Sequence, residues 1–196
     1  MYPTICLWAV FSSLVTTSYG SRYEFIMDDV EVFGRCADKP KAKAIQDIVD
    51  LSEYKIEFNE GYVTASGQMT LRWEGVEATD RIAGNAELYK FQRGTWQPTM
   101  ISLTEHNFCV RQFDISTIWY KVWGQYIPKN ERKCINNYGH VYHFEPFDVE
   151  TVTEFTNNME GRHKIVINMY AFDMKNVKRP NTDVCLEIIG EFIKVK

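Results

Sequence analysis

"YVTASGQMTLRW", residues 62–73, alternates strictly between two kinds of side chain. The odd positions Val63, Ala65, Met69, Leu71 and Trp73 are apolar, and the even positions Thr64, Ser66, Gln68, Thr70 and Arg72 are polar. Successive side chains on a strand point to opposite faces, so the pattern describes a strand with one buried face. "HKIVINMYAF" (163–172) repeats it with Ile165, Ile167, Met169 and Ala171, and "VCLEIIGEFIKV" (184–195) with Val184, Leu186, Ile188 and Phe192. "SEYKIEF" (52–58) and "VETVTEF" (149–155) are weaker strand candidates. Turn chemistry separates these runs: "NEG" at 59–61, "RGTWQP" at 93–98, "NNMEG" at 157–161 and "KRPNTD" at 178–183. Short strands with regular turn signals indicate an all-β fold of two packed sheets. Without a repeat, a low-complexity stretch or a linker, the reading is a single domain over residues 21–196.

One segment departs from the strand period. In "EHNFCVRQFDISTIWYKVWGQYI" (105–127) the apolar residues Ile115, Ile118, Trp119, Val122, Trp123 and Tyr126 are spaced as one stripe of a short helix near 113–126. Two tryptophans in one stripe can fill a core or cover a cavity.

At the N-terminus, "TICLWAVFSSLVTTSY" (4–19) is uncharged and largely apolar, and Ser18 and Gly20 are small residues at signal-peptidase spacing. A secretory leader over residues 1–20 is expected, with an extracellular, soluble chain after it. Net charge is −4, so neither nucleic acid nor an anionic membrane surface is an expected electrostatic partner. The densest basic run, "KPKAK" at 39–43, reads as a solvated loop.

Cys6 leaves with the leader, so the exported chain holds Cys36, Cys109, Cys134 and Cys185. An even number in an exported domain reads as a disulfide framework. No pair has C-x-x-C spacing, which argues against zinc and thioredoxin-like redox chemistry. Of the three pairings, the preferred one is Cys36–Cys185, tying the start of the domain to its last strand, with Cys109–Cys134 closing the helical segment.

Catalytic constellations are missing. There is no G-x-S-x-G, H-E-x-x-H, Walker or dinucleotide motif. His140 and His143 are three apart, a poor chelate spacing on a strand. His106 precedes a cysteine expected to be oxidised, and His163 opens a strand and is expected to be solvated. The adjacent carboxylates Asp28 and Asp29 carry no geometry for acid–base work. The expectation is a non-enzyme with no metal and no cofactor. Aromatic residues make up 14% of the chain, a payload that suits a filled core or a hydrophobic cavity.

The order of several motifs adds a resemblance. "YEFIMDDVEVFGRC" (23–36), "RGTWQPTM" (93–100), "NFC…FD…WYK.W…C" (107–134), "EPFD" (145–148) and "AFD..NV.RP…CLEI.GEF" (171–192) together resemble the insect chemosensory protein B family. The likeness spans Tyr23 to Phe192 and extends, distantly, to the ganglioside activator and the wider ML lipid-recognition superfamily. It implies a two-sheet β-cup that opens between its sheets to hold an acyl or hydrocarbon chain. It also implies a secreted monomer of the sensillum lymph, serving pheromone perception in gustatory bristles, with a sensory receptor or ion channel as a further partner. The ganglioside activator carries more cysteines than the four here, so its lipid specificity does not transfer.

On that reading the chain is a secreted, non-enzymatic carrier or presenter of small hydrophobic or lipid ligands. Met69, Leu71, Trp73, Ile165, Ile167 and Met169 would line the cup. Residues 110–127 would form a disulfide-anchored flap with Ile118, Trp119, Val122 and Trp123 facing inward; the alternative is a helix whose stripe is ordinary core. A different function class also stays open: a secreted protein–protein module, a co-receptor or channel modulator, that holds no lipid.

Overall fold

A strand that buries one face needs a second layer, and this chain supplies it with two antiparallel sheets. The structure is a computed structural model that describes residues 20–28 and 32–195. The expected leader lies outside the described residues apart from Gly20. Among those residues, no helix is long and apolar enough to cross a membrane.

The strands are β1 Ser21–Met27, β2 Gly34–Arg35, β3 Val49–Asp50, β4 Tyr54–Asn59, β5 Tyr62–Leu71, β6 Arg81–Gln92, β7 Thr95–Glu105, β8 Val141–Glu150, β9 Val152–Phe155, β10 Gly161–Phe172 and β11 Val184–Val195. The larger sheet runs β7-β6-β10-β11-β1-β9, with β2 on the same edge of β11 as β1. In the smaller sheet β5 is flanked by β3 and β4 on one side and by β8 on the other. The fold is therefore an all-β, two-sheet sandwich with short helices, stapled by Cys36–Cys185 (Cα–Cα 5.7 Å) and Cys109–Cys134 (Cα–Cα 5.1 Å). This is the pairing preferred from the sequence.

The strand over 62–73 is β5, and its odd face turns to the core: Ala65 and Leu71 are buried, as is Trp73 just beyond. "SEYKIEF" becomes β4, whereas "VETVTEF" divides between two sheets. β8 ends at Glu150, and β9 begins at Val152 on the edge of the larger sheet. The corner is held by main-chain bonds on both sides, Thr151 N–H to Gly61 O and Phe25 N–H to Thr151 O, each 3.0 Å. The Glu24 carboxylate also accepts from Gly61 N–H at 2.6 Å.

Six strands were not read from the sequence: the short β2 and β3, the first strand β1, and the longer β6, β7 and β8. "RGTWQP" is a turn only at Arg93–Gly94, and Thr95 already opens β7. β7 lies at the edge of its sheet, where Pro98 lacks no ladder partner it needs. Its pairing with β6 shifts between Glu87–Ser102 and Tyr89–Pro98, so β7 carries extra residues there. In β8 the ladder shifts between Phe147 and Phe144, opposite Ala65 and Gly67 of β5. The extra residue at Glu145–Pro146 is a bulge, and it lets Phe144 and Phe147 both face inward and be buried. Gly67 has φ +103, and a Cβ there would meet Glu53 O at 2.0 Å, so the close approach of β4 requires glycine.

The helical segment is broken rather than continuous. α1 spans Phe108–Arg111 and α2 spans Ile118–Val122, followed by a 3-10 turn at Gly124–Tyr126. Between the helices the Asp114 side chain accepts from Ser116 N–H at 2.9 Å, and Thr117 caps α2 by accepting from Tyr120 N–H at 3.1 Å. The single stripe expected over 113–126 is corrected accordingly: Ile115 is 74% and Ile118 50% exposed. Trp119 and Trp123 instead lean on the buried core, Trp119 edge-on to Phe108 at 5.3 Å and Trp123 edge-on to Tyr142 at 5.8 Å.

Candidate functional site

The inward face of the larger sheet is one continuous row of apolar residues with three different surroundings. By strand alternation β10 presents His163, Ile165, Ile167, Met169 and Ala171, and β11 presents Val184, Leu186, Ile188, Gly190 and Phe192. At one end Met169, Ala171 and Val184 belong to a buried cluster with Leu71, Trp73, Ile82, Phe108, Ile127, Tyr142, Phe144 and Phe147. At the other end Tyr23, Phe25, Leu88, Met159 and Phe192 form a second buried cluster. Between them Ile165, Ile167 and Ile188 are only half-buried although they face inward. On the smaller sheet Ile56, Val63, Met69 and Val149 are likewise half-buried. These residues face the core yet keep part of their surface in contact with solvent, Met69 and Val149 beside the first cluster and Ile165 and Ile188 beside the second.

The residues proposed from the sequence divide along this line. Leu71, Trp73 and Met169 are plain core, and Trp73 is 1% exposed with its indole N–H donating to Thr182 O at 3.1 Å. They plug the closed end rather than line an accessible wall. Met69, Ile165 and Ile167 are half-buried, Met69 against the closed-end cluster and Ile165 against the second one. Ile118 faces solvent, and Val122, Trp119 and Trp123 are half-buried, the two tryptophans packed against the closed-end cluster. The Cys109–Cys134 bond ties this segment to the stretch that leads into β8. Not named as wall residues from the sequence are Ile56, Val63, Val149 and Ile188, of which Val63 and Ile188 had been placed on the correct face.

Polar groups inside the closed end are tied to each other. Tyr142 donates to Lys133 O at 2.5 Å, so its oxygen accepts from Gln112 Nε2 at 3.3 Å. Desolvation holds the Tyr142 hydroxyl well above the usual phenol range, and Tyr54 is raised by the same cause. Neither ionises at physiological pH. Asp80 is buried, which opposes its charge, but two hydrogen bonds from Arg179 at 2.9 Å and one from Glu77 N–H bring its carboxyl below the ordinary value. This pair fastens the turn before β6 to the turn before β11.

The histidines are placed differently from the sequence reading. His140 and His143 both reach Glu131, His140 Nε2 to the main-chain oxygen at 2.6 Å and His143 Nδ1 to the carboxylate at 2.9 Å. Burial opposes the Glu131 charge, yet the two His143 bonds lower its carboxyl overall. His163, expected to be solvated, is 0% exposed. Its ring lies edge-on to Phe192 at 5.0 Å, and its ladder partner Gly190 has no side chain to occupy that space. A Cβ on Gly190 would come within 2.8 Å of the Phe25 ring. Among the described residues, no group of three or more His, Cys, Asp or Glu is placed to hold a metal ion. The arrangement offers apolar surface and isolated hydrogen-bonding atoms. The chain matches no family model and no curated protein.

Proposed function

We propose that this protein is a secreted, non-enzymatic carrier or presenter of small hydrophobic ligands, of the lipid or hydrocarbon kind. The observation that carries the reading is the half-buried apolar wall: Met69, Ile165 and Ile167, with Ile56, Val63, Val149 and Ile188, face inward without being sealed. Covering such a wall with an acyl or hydrocarbon chain is favourable by about 25 cal/mol per Å² removed from water. Two disulfides fit an oxidising compartment, and the apolar leader at 1–20 fits export. The resemblance to the insect chemosensory B family, and distantly to the ML lipid-recognition superfamily, supports the same reading. It adds a role in pheromone or gustatory chemosensation, in the sensillum lymph, next to a receptor or channel.

Native mass spectrometry of protein purified from its own secretory host, with lipid extraction, tests this. The expected result is a co-purifying hydrocarbon or fatty acyl species, lost on denaturation. A second reading, a protein–protein module without bound lipid, is favoured by one feature: Val110, Ile115 and Ile118 are exposed together on the helical segment. A bare polypeptide mass that takes up no added hydrocarbon would select that reading.

A further inference from the structure

His163 is the one ionisable side chain on the inward row of β10, and its hydrogen bonding fixes which nitrogen carries the proton. Nδ1 lies 2.8 Å from Gly161 O. A carbonyl oxygen only accepts, so Nδ1 bears the hydrogen and the neutral ring leaves a bare lone pair on Nε2. That atom is buried and has no hydrogen-bond partner. Its surroundings are Phe192 and, one inward position along β10, Ile165. Lys90 is the ladder neighbour on β6, and its ammonium is directed to Asn158 O at 3.4 Å. Burial first, and the Lys90 charge after it, outweigh the Gly161 bond and keep the ring below the ordinary histidine value. The acceptor is therefore present at neutral pH. A buried acceptor left unpaired is costly, and a donor brought to it regains that cost.

Among the described residues, two other buried side-chain atoms lack partners, Gln112 Oε1 and Trp119 Nε1. They belong with the sealed cluster at the closed end, whereas His163 is the next inward residue to the half-buried Ile165 and Ile167.

We infer that Nε2 of His163 is the polar anchor of the apolar wall, and that the ligand it selects is a long hydrocarbon chain ending in a hydroxyl. This inference rests on the carrier reading. An alcohol donates its O–H to the lone pair; an alkane, an ester or an ionised carboxylate has no proton to give. Reaching Nε2 requires the chain end to slip between Ile165 and Phe192.

The test is displacement of the fluorescent probe N-phenyl-1-naphthylamine by hexadecan-1-ol, hexadecyl acetate and hexadecane at pH 7.5. The alcohol is expected to compete about tenfold more tightly than the acetate, the worth of roughly one buried hydrogen bond. In His163→Phe the alcohol and the acetate should fall within about twofold of each other, with hexadecane competing as in wild type. Because that variant could misfold, the wild-type imidazole is also read directly by 15N NMR. The Nε2 resonance should sit at the unprotonated position in the free protein and move on adding hexadecan-1-ol but not hexadecyl acetate. Equal competition by alcohol and acetate, an unmoved resonance, or a preference that survives in His163→Phe overturns the anchor and leaves the carrier standing. A wild-type protein that binds neither the probe nor any of the three overturns both.

Discussion

Met169 and Ile165 are four residues apart on the same face of the same strand, and their surroundings differ. Met169 is enclosed by the closed-end cluster, where the helical segment and Trp73 fill the space between the sheets. Ile165 borders the second cluster and stays half-buried. The strand supplies both with the same orientation; what differs is whether a bulky partner crosses from the other layer. Burial on a sheet is therefore decided from the opposite side, by residues far away in sequence. At the closed end those include aromatic rings on short helices, Phe108, Trp119 and Trp123 among them.

The sharpest way to break this comparison is a pair of truncations. Trp73→Ala should lower unfolding free energy by about 3–5 kcal/mol, because it empties a sealed site and strips Thr182 O of its donor. Ile167→Ala should cost no more than roughly 1–2 kcal/mol, since its side chain is only half out of water. Urea unfolding of both variants checks this; equal losses would mean that the wall is as tightly packed as the core.

Next in size is the bond that fastens the helical segment. Replacing Cys109 and Cys134 together by serine opens a loop with a sequence separation of 25 residues, worth about 3 kcal/mol by chain entropy. Hydrogen exchange should show the loss of protection concentrated in α1, α2 and the closed-end cluster. Uniform loss across β1 and β9 would contradict the division of the core into two ends.

A smaller effect is expected at the start of α2. Thr117→Ala removes the oxygen that accepts from Tyr120 N–H, together with its own donation to Asp114 O at 2.8 Å. A lost cap of this kind costs roughly 1 kcal/mol, read as a small shift of the urea midpoint. Thr117→Ser should restore most of it.

The smallest effect tests the other end through pH. His163 has a folded-state value below its unfolded value of about 6.5, so the unfolded chain takes up the proton first. Its contribution to stability is present above the unfolded value and is lost as pH falls from about 6.5 towards the folded value. Stability measured between pH 7.5 and 5 should decline more in wild type than in His163→Phe. Parallel curves would place the ring in a solvated position after all.

How legible this was depends on the element. β5, β10 and β11 were readable because apolar and polar residues alternate in them without interruption. β6 was not: Gly84 and Ala86 on its inward face dilute the period, and Gly84 is required small because a Cβ would meet Asn168 O at 2.8 Å. β8 was hidden by its bulge, which shifts Phe147 out of step with Phe144 and adds Pro146, a residue that reads as a breaker. The helical stripe misled because 3.6-residue spacing was counted across "FDIST", although Asp114 and Thr117 are turn and cap residues that could have divided it. The candidate wall was half legible. Strand alternation placed Met69, Ile165 and Ile167 on the inward side, but it cannot say that Leu71, Trp73 and Met169 meet large partners and are sealed. His163 was misread because a position just after a turn usually faces water, and only Gly190 across the ladder reveals the space for its ring.

As a ribosome makes this chain, Cys36 emerges well before its partner. Cys109 and Cys134 follow at a sequence separation of only 25, whereas Cys36 waits for a cysteine 149 residues further on. Through that interval its thiolate can attack the younger disulfide, and only exchange can undo a wrong pair. β1 can pair with β9 before then, but its other neighbour β11 is the last strand made and lies between β1 and β10. A nascent chain that stops short of Val184 thus carries one closed loop, Cys36 still without its partner and a first strand open along the edge that β11 will cover, and the cell must hold that intermediate soluble until the final strand arrives.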